Sequence, residues 1–184
     1  FEINKNNKKF IKSISEINNL IVGAVRKKEQ DTEYKIFNSL FLIKDFFNNI
    51  QYHDKLRLVP FGEFIPFRKY LNYKKLTLGG LDFSRGEKVE ILEFNNNIKI
   101  LPLICYEVIF PRITRPYNKK YNLIVNITND GWYGKSSGPY QHLALSKIRA
   151  AQEGRVLVRV ANTGISAIID YNGEIIDKID LGKK

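Results

Sequence analysis

The sequence lacks several features that would assign a protein to a class directly. Its 184 residues include one cysteine, Cys105, so the chain forms no internal disulfide and its cysteine content does not identify a redox compartment. No apolar run approaches the roughly 18 residues that span a bilayer, and the N-terminus lacks the apolar segment of a signal peptide. No internal repeat is visible. We therefore expect no membrane crossing within these residues and a thiol that is available for chemistry.

The composition is that of a folded protein. Hydrophobic residues make up 43% of the chain and aromatic residues 12%, without low-complexity tracts, so we expect a packed core and one domain over residues 1–184. The chain begins at Phe1 rather than Met and stops at Lys184 just after a strand-like run. We therefore expect it to be a piece of a longer chain.

The net charge of +11 has three interpretations. Nucleic acid binding is not favoured, because the lysines are scattered and the aromatics mostly lie inside apolar runs, so we expect no nucleic acid partner. Anionic lipid headgroups would attract a basic face at about 1 kcal/mol per cation. A lysine-rich bias on a solvated surface needs no partner. The last two interpretations stay open.

Hydrophobic periodicity and turn residues predict strands with intervening helices, followed by consecutive strands. Predicted strands cover residues 20–25, 37–43, 98–104, 121–128, 155–160, 164–171 and 174–179. The other predictions are a helix over 6–19, a structured loop over 50–75, a helix over 139–153 capped by Gly154, and a two-residue hairpin turn at Asn172-Gly173. In the second helix, Tyr140, Ala144, Ile148 and Ala151 fall on one face. This order predicts an α/β sandwich with reactive groups on loops at strand ends.

Cys105 lies where a buried strand is predicted to end. The segment ILPLICYEVIFP changes there from an apolar run to the polar pair Tyr106 and Glu107, so the thiol is expected to emerge at the edge of a sheet. A free thiol has a pKa of about 8.5 and needs a nearby base or cation to become a reactive thiolate. The alternative is a small buried apolar residue. If the backbone is extended there, Glu107 lies on the same side as the thiol, whereas a turn would direct its side chain elsewhere.

Lys55 lies in YHDKLRLVPFGEFIPF, a segment whose prolines, glycine and aromatics hold side chains firmly. A lysine in a partly desolvated site can stabilise a thiolate and then the oxyanion of a tetrahedral intermediate. Glu63 follows eight residues later across a turn, close enough to pair with Lys55 or to orient it. The alternative for Lys55 is a solvated surface lysine, and the alternative for Glu63 is an exposed carboxylate.

The remaining candidates are two histidines and the single tryptophan. His53 and His142 raise the question of a Cys–His pair, but neither lies in a distinctive sequence and the pairing is not favoured. With one cysteine they form no recognisable metal site, and we expect no metal and no cofactor. Trp132 lies in NDGWYG, a glycine-flanked loop between a strand and a helix. It either covers a pocket and contacts an apolar ligand, or anchors the loop against the sheet.

Four segments together resemble the apolipoprotein N-acyltransferases, a bacterial family within the carbon–nitrogen hydrolase, or nitrilase, superfamily. They are LVPFGEFIPF at 58–67, ICYEVIFP at 104–111, NLIVNITNDGWYG at 122–134 and GPYQHLALSKIRAAQEGRVLVRVANTGISAIID at 138–170. The segments follow the order of the family with similar spacing over most of residues 20–180.

The resemblance implies a nitrilase-like α-β-β-α sandwich whose N-terminal part is missing, with a Glu–Lys–Cys catalytic set. By position it implies Cys105 as the nucleophile, Lys55 as the catalytic lysine and Glu63 as a second important glutamate. The residues implied beside the substrate are Tyr106, Glu107 and Trp132. In the family a phospholipid donates an acyl chain to the cysteine as a thioester, which the amino group of a diacylglyceryl-cysteine apolipoprotein then attacks.

The resemblance also implies a cellular location and a general base that these residues lack. The location is the bacterial inner membrane, with the catalytic domain facing the periplasm. Membrane association is through segments absent from this chain. The family's general base is a glutamate in a Trp-Pro-Glu-like motif, which does not occur before Leu20, so we expect the chain alone to be inactive. The alternatives are a soluble amidase of the same superfamily and a non-catalytic basic module that binds anionic lipid or nucleic acid.

Overall fold

The computed structural model describes residues 19–30, 33–45, 48–67, 82–115 and 120–183. These residues fall into two compact units, one that ends at Lys88 and one that begins at Val89. The helix predicted over residues 6–19 lies outside the described residues, except for Asn19, which begins a strand. That residues 1–184 form one domain stays a prediction.

The first unit contains a three-stranded antiparallel sheet. Its strands are β1 (Asn19–Gln30), β2 (Glu33–Lys44) and β3 (Asn49–Asp54), in the order β1-β2-β3. The first two pair along their whole length, so the predicted strands over 20–25 and 37–43 are confirmed and are longer than the apolar runs that predicted them. A hairpin extends into polar sequence because the hydrogen bonds between its two strands are formed by the backbone and do not require apolar side chains.

The prediction of an irregular loop over residues 50–75 is wrong for its first part, which is β3. This strand has one fully buried side chain, His53, and therefore lacks the apolar run that identifies a buried strand. Its ladder with β2 runs from Lys44↔Asn49 to Ser39↔Asp54. The chain from Lys55 to Phe67 is irregular, as predicted, and residues 68–81 lie outside the described residues.

The second unit contains a six-stranded mixed sheet. Its strands, in spatial order, are β4 (Leu92–Glu93), β5 (Lys99–Ile104), β6 (Leu123–Asn129), β7 (Val156–Asn162), β8 (Ser166–Ile169) and β9 (Ile175–Ile179). The central strands β5, β6 and β7 are parallel, and the flanking strands pair antiparallel. The five strands predicted after residue 97 are confirmed with shifted ends.

The core of the second unit lies on its parallel strands. Leu101, Leu103, Ile124 and Leu157 are completely buried, as expected for the apolar runs of parallel strands. Because parallel strands end at the same edge of a sheet, β5 delivers Cys105 and β6 delivers the Asp130 turn to one edge. Both sheets together with the helices confirm the predicted α/β class.

Two α-helices occur in the described residues of the second unit, α1 (Pro111–Thr114) and α2 (Gly138–Glu153). The second confirms the helix predicted over 139–153. It ends as predicted at Gly154, whose left-handed backbone (φ +60°) lets its N–H donate to carbonyls of the last turn. Among the described residues, no helix combines the length and apolar character needed to cross a bilayer.

The apolar face predicted on α2 is the exposed one, with Tyr140, Ala144, Ile148 and Ala151 all outward. The buried face carries His142, Ser146 and Arg149 as well as apolar residues. Their polar groups are hydrogen-bonded, for example Arg149 Nε to the carbonyl of Val108 at 2.8 Å, so burial is tolerated. Periodicity alone does not reveal such partners.

The hairpin between β8 and β9 is confirmed, but its turn is longer than the predicted two residues. The N–H of Gly173 donates to the carbonyl of Asp170 at 3.0 Å, and the N–H of Asp170 to the carbonyl of Glu174 at 2.8 Å. The Asp170 carboxylate also accepts from the N–H groups of Asn172 and Glu174. These side-chain bonds favour a three-residue loop in which only Gly173 has positive φ.

Candidate active site

Cys105 lies at the point where β5 ends and the 3-10 turn Cys105–Ile109 begins. Its φ of +55° is in the left-handed region that residues with a side chain rarely adopt. The turn directs Glu107 inward, where its carboxylate accepts the N–H of Ile104 at 2.8 Å. The thiol is half-buried, whereas the strand before it is buried. Cys105 therefore emerges at a strand end, as predicted, and Glu107 supports the turn.

Lys55 follows β3 directly and is only 1% exposed. Its backbone is fixed on both sides, because its N–H donates to the carbonyl of Asn38 at 2.8 Å and its carbonyl accepts the N–H of Gly86 at 2.9 Å. Its ammonium nitrogen Nζ donates to both carboxylate oxygens of Glu63, at 2.9 and 2.8 Å. The predicted pairing of Lys55 with Glu63 is present, and a solvated lysine is the wrong interpretation.

Glu63 is held by more than the lysine. Its Oε1 accepts from the side-chain amide of Asn38 at 2.8 Å, and its Oε2 accepts from the N–H of Val59 at 2.7 Å. A buried carboxylate needs such donors, because burial without partners costs several kcal/mol. The alternative of an exposed carboxylate is therefore wrong, and Glu63 is a fixed partner for Lys55.

The strand end before Lys55 is fixed by a second ion pair in the same unit. Arg26 donates to Asp54 from Nε at 3.0 Å and from Nη2 at 2.5 Å, and Ser39 Oγ donates to the same carboxylate at 2.6 Å. The guanidinium also lies over the rings of Phe37 and Tyr52. The hydrogen bond to Asp54 raises the pKa of Arg26 above its ordinary value. This contact holds the residue that precedes the lysine.

Trp132 lies in the 3-10 turn Asp130–Tyr133, which follows β6 directly. The turn is started by Asn129, whose side-chain oxygen accepts the N–H of Gly131 at 3.1 Å. Trp132 itself is 61% exposed. The indole is therefore mostly exposed, which does not favour the interpretation as a loop anchor packed against the sheet, and its contact with an apolar ligand stays a prediction.

A buried polar cluster lies behind this turn. Arg159 Nη2 donates to Asp130 Oδ2 at 2.7 Å, and His142 Nδ1 lies 2.9 Å from Asp130 Oδ1. Burial alone would raise the pKa of Asp130, but the hydrogen bond from His142 and the charge of Arg159 lower it below its ordinary value. The sequence does not favour His142 as a partner of Cys105, and in the structure the Nδ1 of His142 faces Asp130.

Tyr133 links this cluster electrostatically to the thiol. Its ring meets the ring of His142 edge-on, with centroids 5.9 Å apart. Burial raises the pKa of Tyr133, and the negative charges of Cys105 as a thiolate and of Asp130 raise it further. Burial lowers the pKa of Arg159, against the opposing effect of Asp130 and, more weakly, of Cys105. These charges therefore act on one another within the second unit.

The sequence prediction missed the polar residues that hold the candidates. Asn126 and Arg159 lie inside the apolar runs of β6 and β7, and Asn38 lies in β2. The available signal was a polar residue within an otherwise buried strand, which requires a partner. The identity of that partner depends on the tertiary structure.

The predicted site residues divide between the two units. Lys55 and Glu63 belong to the first unit and are in contact, whereas the other four belong to the second. Those four are Cys105, Tyr106, Glu107 and Trp132. That all six act in one site stays a prediction.

Comparisons with known proteins agree with the resemblance seen in the sequence. Residues 6–184 match the family model described as carbon-nitrogen hydrolase. Proteins named apolipoprotein N-acyltransferase from Rickettsia prowazekii and Rickettsia bellii are 42% and 45% identical over 165 residues, 89% of this chain and 33% of theirs. The chain thus spans about a third of the length of these curated relatives.

Solved structures show the same fold. A Saccharomyces cerevisiae member of the nitrilase superfamily aligns with a TM-score of 0.69 and 18% identity, over 97% of this chain and 62% of that one. A carbon-nitrogen hydrolase from Helicobacter pylori aligns with a TM-score of 0.68 and 14% identity, over 98% and 64%. The predicted nitrilase-like fold is confirmed.

Proposed function

Because the chain belongs to the carbon–nitrogen hydrolase family, we propose that it carries catalytic residues of an apolipoprotein N-acyltransferase, with Cys105 as the acyl-accepting nucleophile. The observation that carries this proposal is the setting of Cys105. A half-exposed thiol at the end of a buried parallel strand, on a left-handed backbone, is a strained and accessible arrangement typical of reactive residues. A structural cysteine would be buried in the core.

In the proposed first step, the Cys105 thiolate attacks the ester carbonyl of a phospholipid. A carbon–sulfur bond forms, the ester carbon–oxygen bond breaks, and the lysophospholipid alkoxide leaves with the proton that the thiol had given to the general base. The acyl chain remains on Cys105 as a thioester. In the second step, the amino group of a diacylglyceryl-cysteine apolipoprotein attacks the thioester, an amide forms, the amine loses a proton, and the thiol is regenerated.

Lys55 has the role of the cation in this proposal. An ammonium group close to the reaction would stabilise negative charge first on sulfur and then on the carbonyl oxygen of each tetrahedral intermediate. Glu63 would orient it, since it binds Nζ with both carboxylate oxygens and is itself held by Asn38 and Val59. A fixed cation needs no reorganisation during the reaction, which favours the transition state.

The remaining predicted residues would serve the substrate and the nucleophile. The exposed indole of Trp132 suits contact with an acyl chain, because aromatic rings offer a large apolar surface. Tyr106 follows the nucleophile and its ring packs edge-on against Phe110, with centroids 5.1 Å apart. Glu107 would act through the Cys105–Ile109 turn. The proposed location is the periplasmic face of a bacterial inner membrane.

Acyl transfer to Cys105 is tested by mass spectrometry of the protein as its gene encodes it, incubated with phospholipid. We expect the mass of one acyl group on the peptide that contains Cys105, removable by neutral hydroxylamine as a thioester should be. The Cys105→Ala variant should carry none. Transfer that persists in Cys105→Ala would overturn the proposal, and release of free fatty acid in place of acyl transfer when an apolipoprotein acceptor is added would point to a hydrolase.

The 184 residues alone are expected to form no thioester. The resemblance assigns the general base to a glutamate in a Trp-Pro-Glu-like motif, which these residues do not contain before Leu20. The measurement is the same mass analysis on the 184-residue chain and on the complete gene product. Acylation of Cys105 in the isolated chain would show that another group takes the proton.

A further inference from the structure

Asn126 joins the nucleophile's strand to its neighbour. It is completely buried in β6, and its side-chain Nδ2 donates to the carbonyls of Leu103 and Cys105, at 3.1 Å each. A buried amide left without partners costs about 1–3 kcal/mol, so these bonds are maintained in the folded protein. The carbonyl of Cys105 therefore has a fixed direction.

Arg159 determines which end of the Asn126 amide faces the nucleophile. Its Nη1 donates to Asn126 Oδ1 at 2.7 Å, and a guanidinium has donors only. The amide oxygen must therefore face Arg159, which leaves the NH₂ group for the two carbonyls. Arg159 is held in turn by the carbonyl of Ile165 at 3.2 Å and by Asp130 at 2.7 Å. A continuous chain of hydrogen bonds runs from Asp130 to Cys105.

The backbone of Cys105 requires such support. A left-handed conformation costs a side-chain-bearing residue about 1–2 kcal/mol, and it persists only where the surroundings over-determine it. The bond from Asn126 acts on the carbonyl of Cys105 itself, next to the strained torsion. Glu107 acts on the other side, through the N–H of Ile104.

The other end of the network holds the turn that carries Trp132. Asp130 begins this turn, and its Oδ1 accepts from Thr128 Oγ1 at 3.1 Å and lies 2.9 Å from His142 Nδ1. Gly164 lies so close that an added Cβ would stand 2.3 Å from Asp130 Oδ2. The contacts with Thr128, His142 and Arg159 hold the Asp130 carboxylate, and the absence of a side chain at Gly164 leaves the room for it, so the root of the turn is held as well.

We propose that Asn126 and Arg159 are positioning residues that set the direction of Cys105 and couple it to the turn that carries Trp132. The proposal rests on Cys105 being the nucleophile of the proposed function. Both are buried, so we expect neither to contact substrate. Their effect passes through the Cys105 carbonyl and through Asp130, so it should change the reactivity of the thiol as well as the stability of the fold.

The chain offers a matched control for Asn126. Asn122 stands immediately before β6 and also bridges to the chain that forms β5, because its amide donates to the carbonyl of Asn97 at 2.5 Å and accepts the N–H of Lys99 at 3.0 Å. It does so at the end of the strand pair far from Cys105. Replacing either asparagine by aspartate keeps the shape and removes the donors. The two residues differ in their position relative to the nucleophile and in burial, since Asn126 is buried and Asn122 is exposed, so the stability of each variant is measured beside its reactivity.

The test compares Asn126→Asp, Asn126→Ala and Asn122→Asp in the protein as its gene encodes it. Alkylation of Cys105 by iodoacetamide is measured against pH, together with thioester formation and urea unfolding. We expect both Asn126 variants to slow alkylation and thioester formation by about tenfold or more, and Asn122→Asp to stay within about twofold, since a misplaced nucleophile loses rate steeply. In Asn126→Asp the alkylation profile should also move to higher pH, because a carboxylate beside the Cys105 carbonyl would disfavour the negative charge of the thiolate.

Three outcomes would overturn the proposal. Folded Asn126 variants that alkylate like the unsubstituted protein would show that the network does not position Cys105. Equal losses in Asn122→Asp would assign the effect to stability. Failure of both Asn126 variants to fold would assign Asn126 a purely structural role. Alkylation reports on the thiol itself, so these results remain distinct from failure of the proposed function, which appears as activity in Cys105→Ala.

Discussion

At the scale of single residues, the Lys55–Glu63 pair is held more by its neighbours than by its own attraction. Desolvation of two buried charges offsets most of their Coulombic gain, so the pair contributes little by itself. The donors from Asn38 and Val59 satisfy the remaining oxygen lone pairs. Removing one partner leaves the other charge buried without its counter-charge, which costs far more than the pair contributes.

Replacing Lys55 alone should therefore destabilise the fold strongly. We expect Lys55→Met to lower the free energy of unfolding by about 3–5 kcal/mol, and the double variant with Glu63→Leu to recover part of that loss. Neither should transfer acyl groups. The control is Lys99→Met, which breaks the exposed pair with Glu93 at 3.3 Å and should cost at most about 1 kcal/mol. Urea unfolding measures all three, and equal costs would contradict the argument.

Asp130 should make stability depend on acid pH. The pKa of Asp130 in the folded protein lies below the ordinary value of 3.8. Well above that value the carboxylate is ionised in both the folded and the unfolded protein, and its contribution to the free energy of unfolding is complete. As the pH falls below 3.8, the unfolded chain takes up the proton first and the contribution is lost. We expect Asp130→Asn to be destabilised relative to the unsubstituted protein at neutral pH, and the difference to shrink in acid. Asp177→Asn, exposed on β9, should differ little at either pH.

At the scale of elements, the turn after β5 combines a strained backbone with a reactive side chain. Cys105→Gly and Cys105→Ala both remove the sulfur, but only glycine adopts positive φ without a steric penalty. We expect the glycine variant to be more stable than the alanine variant by about 1 kcal/mol in urea unfolding. A more stable alanine variant would show that the turn is not strained at this position.

Two glycines distinguish backbone strain from crowding. Gly154 caps α2 with φ +60° and has open space around it, so Gly154→Asn should be tolerated better than Gly154→Ala. Gly164 has an ordinary φ, but an added Cβ would meet Asp130 at 2.3 Å. We expect Gly164→Ala to lower stability by about 1–3 kcal/mol and to slow alkylation of Cys105, whereas the Gly154 variants change stability alone. Thermal unfolding and alkylation rates check both.

The elements that could be predicted from the sequence are those with an apolar run or a distinct terminus. β5 and β6 have the run, and α2 has Pro139 near its start and Gly154 at its end. β3 has neither. It is stabilised by its pairing with β2, which the sequence of β3 alone does not indicate. The exposed apolar face of α2 was misleading for a different reason, since hydrogen-bonded polar side chains share the buried face with apolar ones.

The candidate site shows the same division. Cys105, Lys55 and Glu63 stand in distinctive segments and could be chosen from the sequence. Asn126 and Arg159 could not, because their roles depend on a hydrogen bond between two strands that joins residues 33 positions apart. A polar residue inside a buried strand indicates that a partner exists, and only the fold identifies it.

At the scale of the whole molecule, the net charge of +11 makes a membrane surface a natural test. A lysine near an anionic bilayer gains about 1 kcal/mol, and the gain is lost when salt shortens the Debye length to a few ångströms. We expect the chain to sediment with vesicles rich in phosphatidylglycerol at about 0.05 M salt and to be released at about 0.5 M. Vesicles of phosphatidylcholine alone are the control and should retain little at either concentration. Binding that is equal on both lipids, or unchanged by salt, would show that apolar groups such as Trp132 hold the chain and that its charge does not.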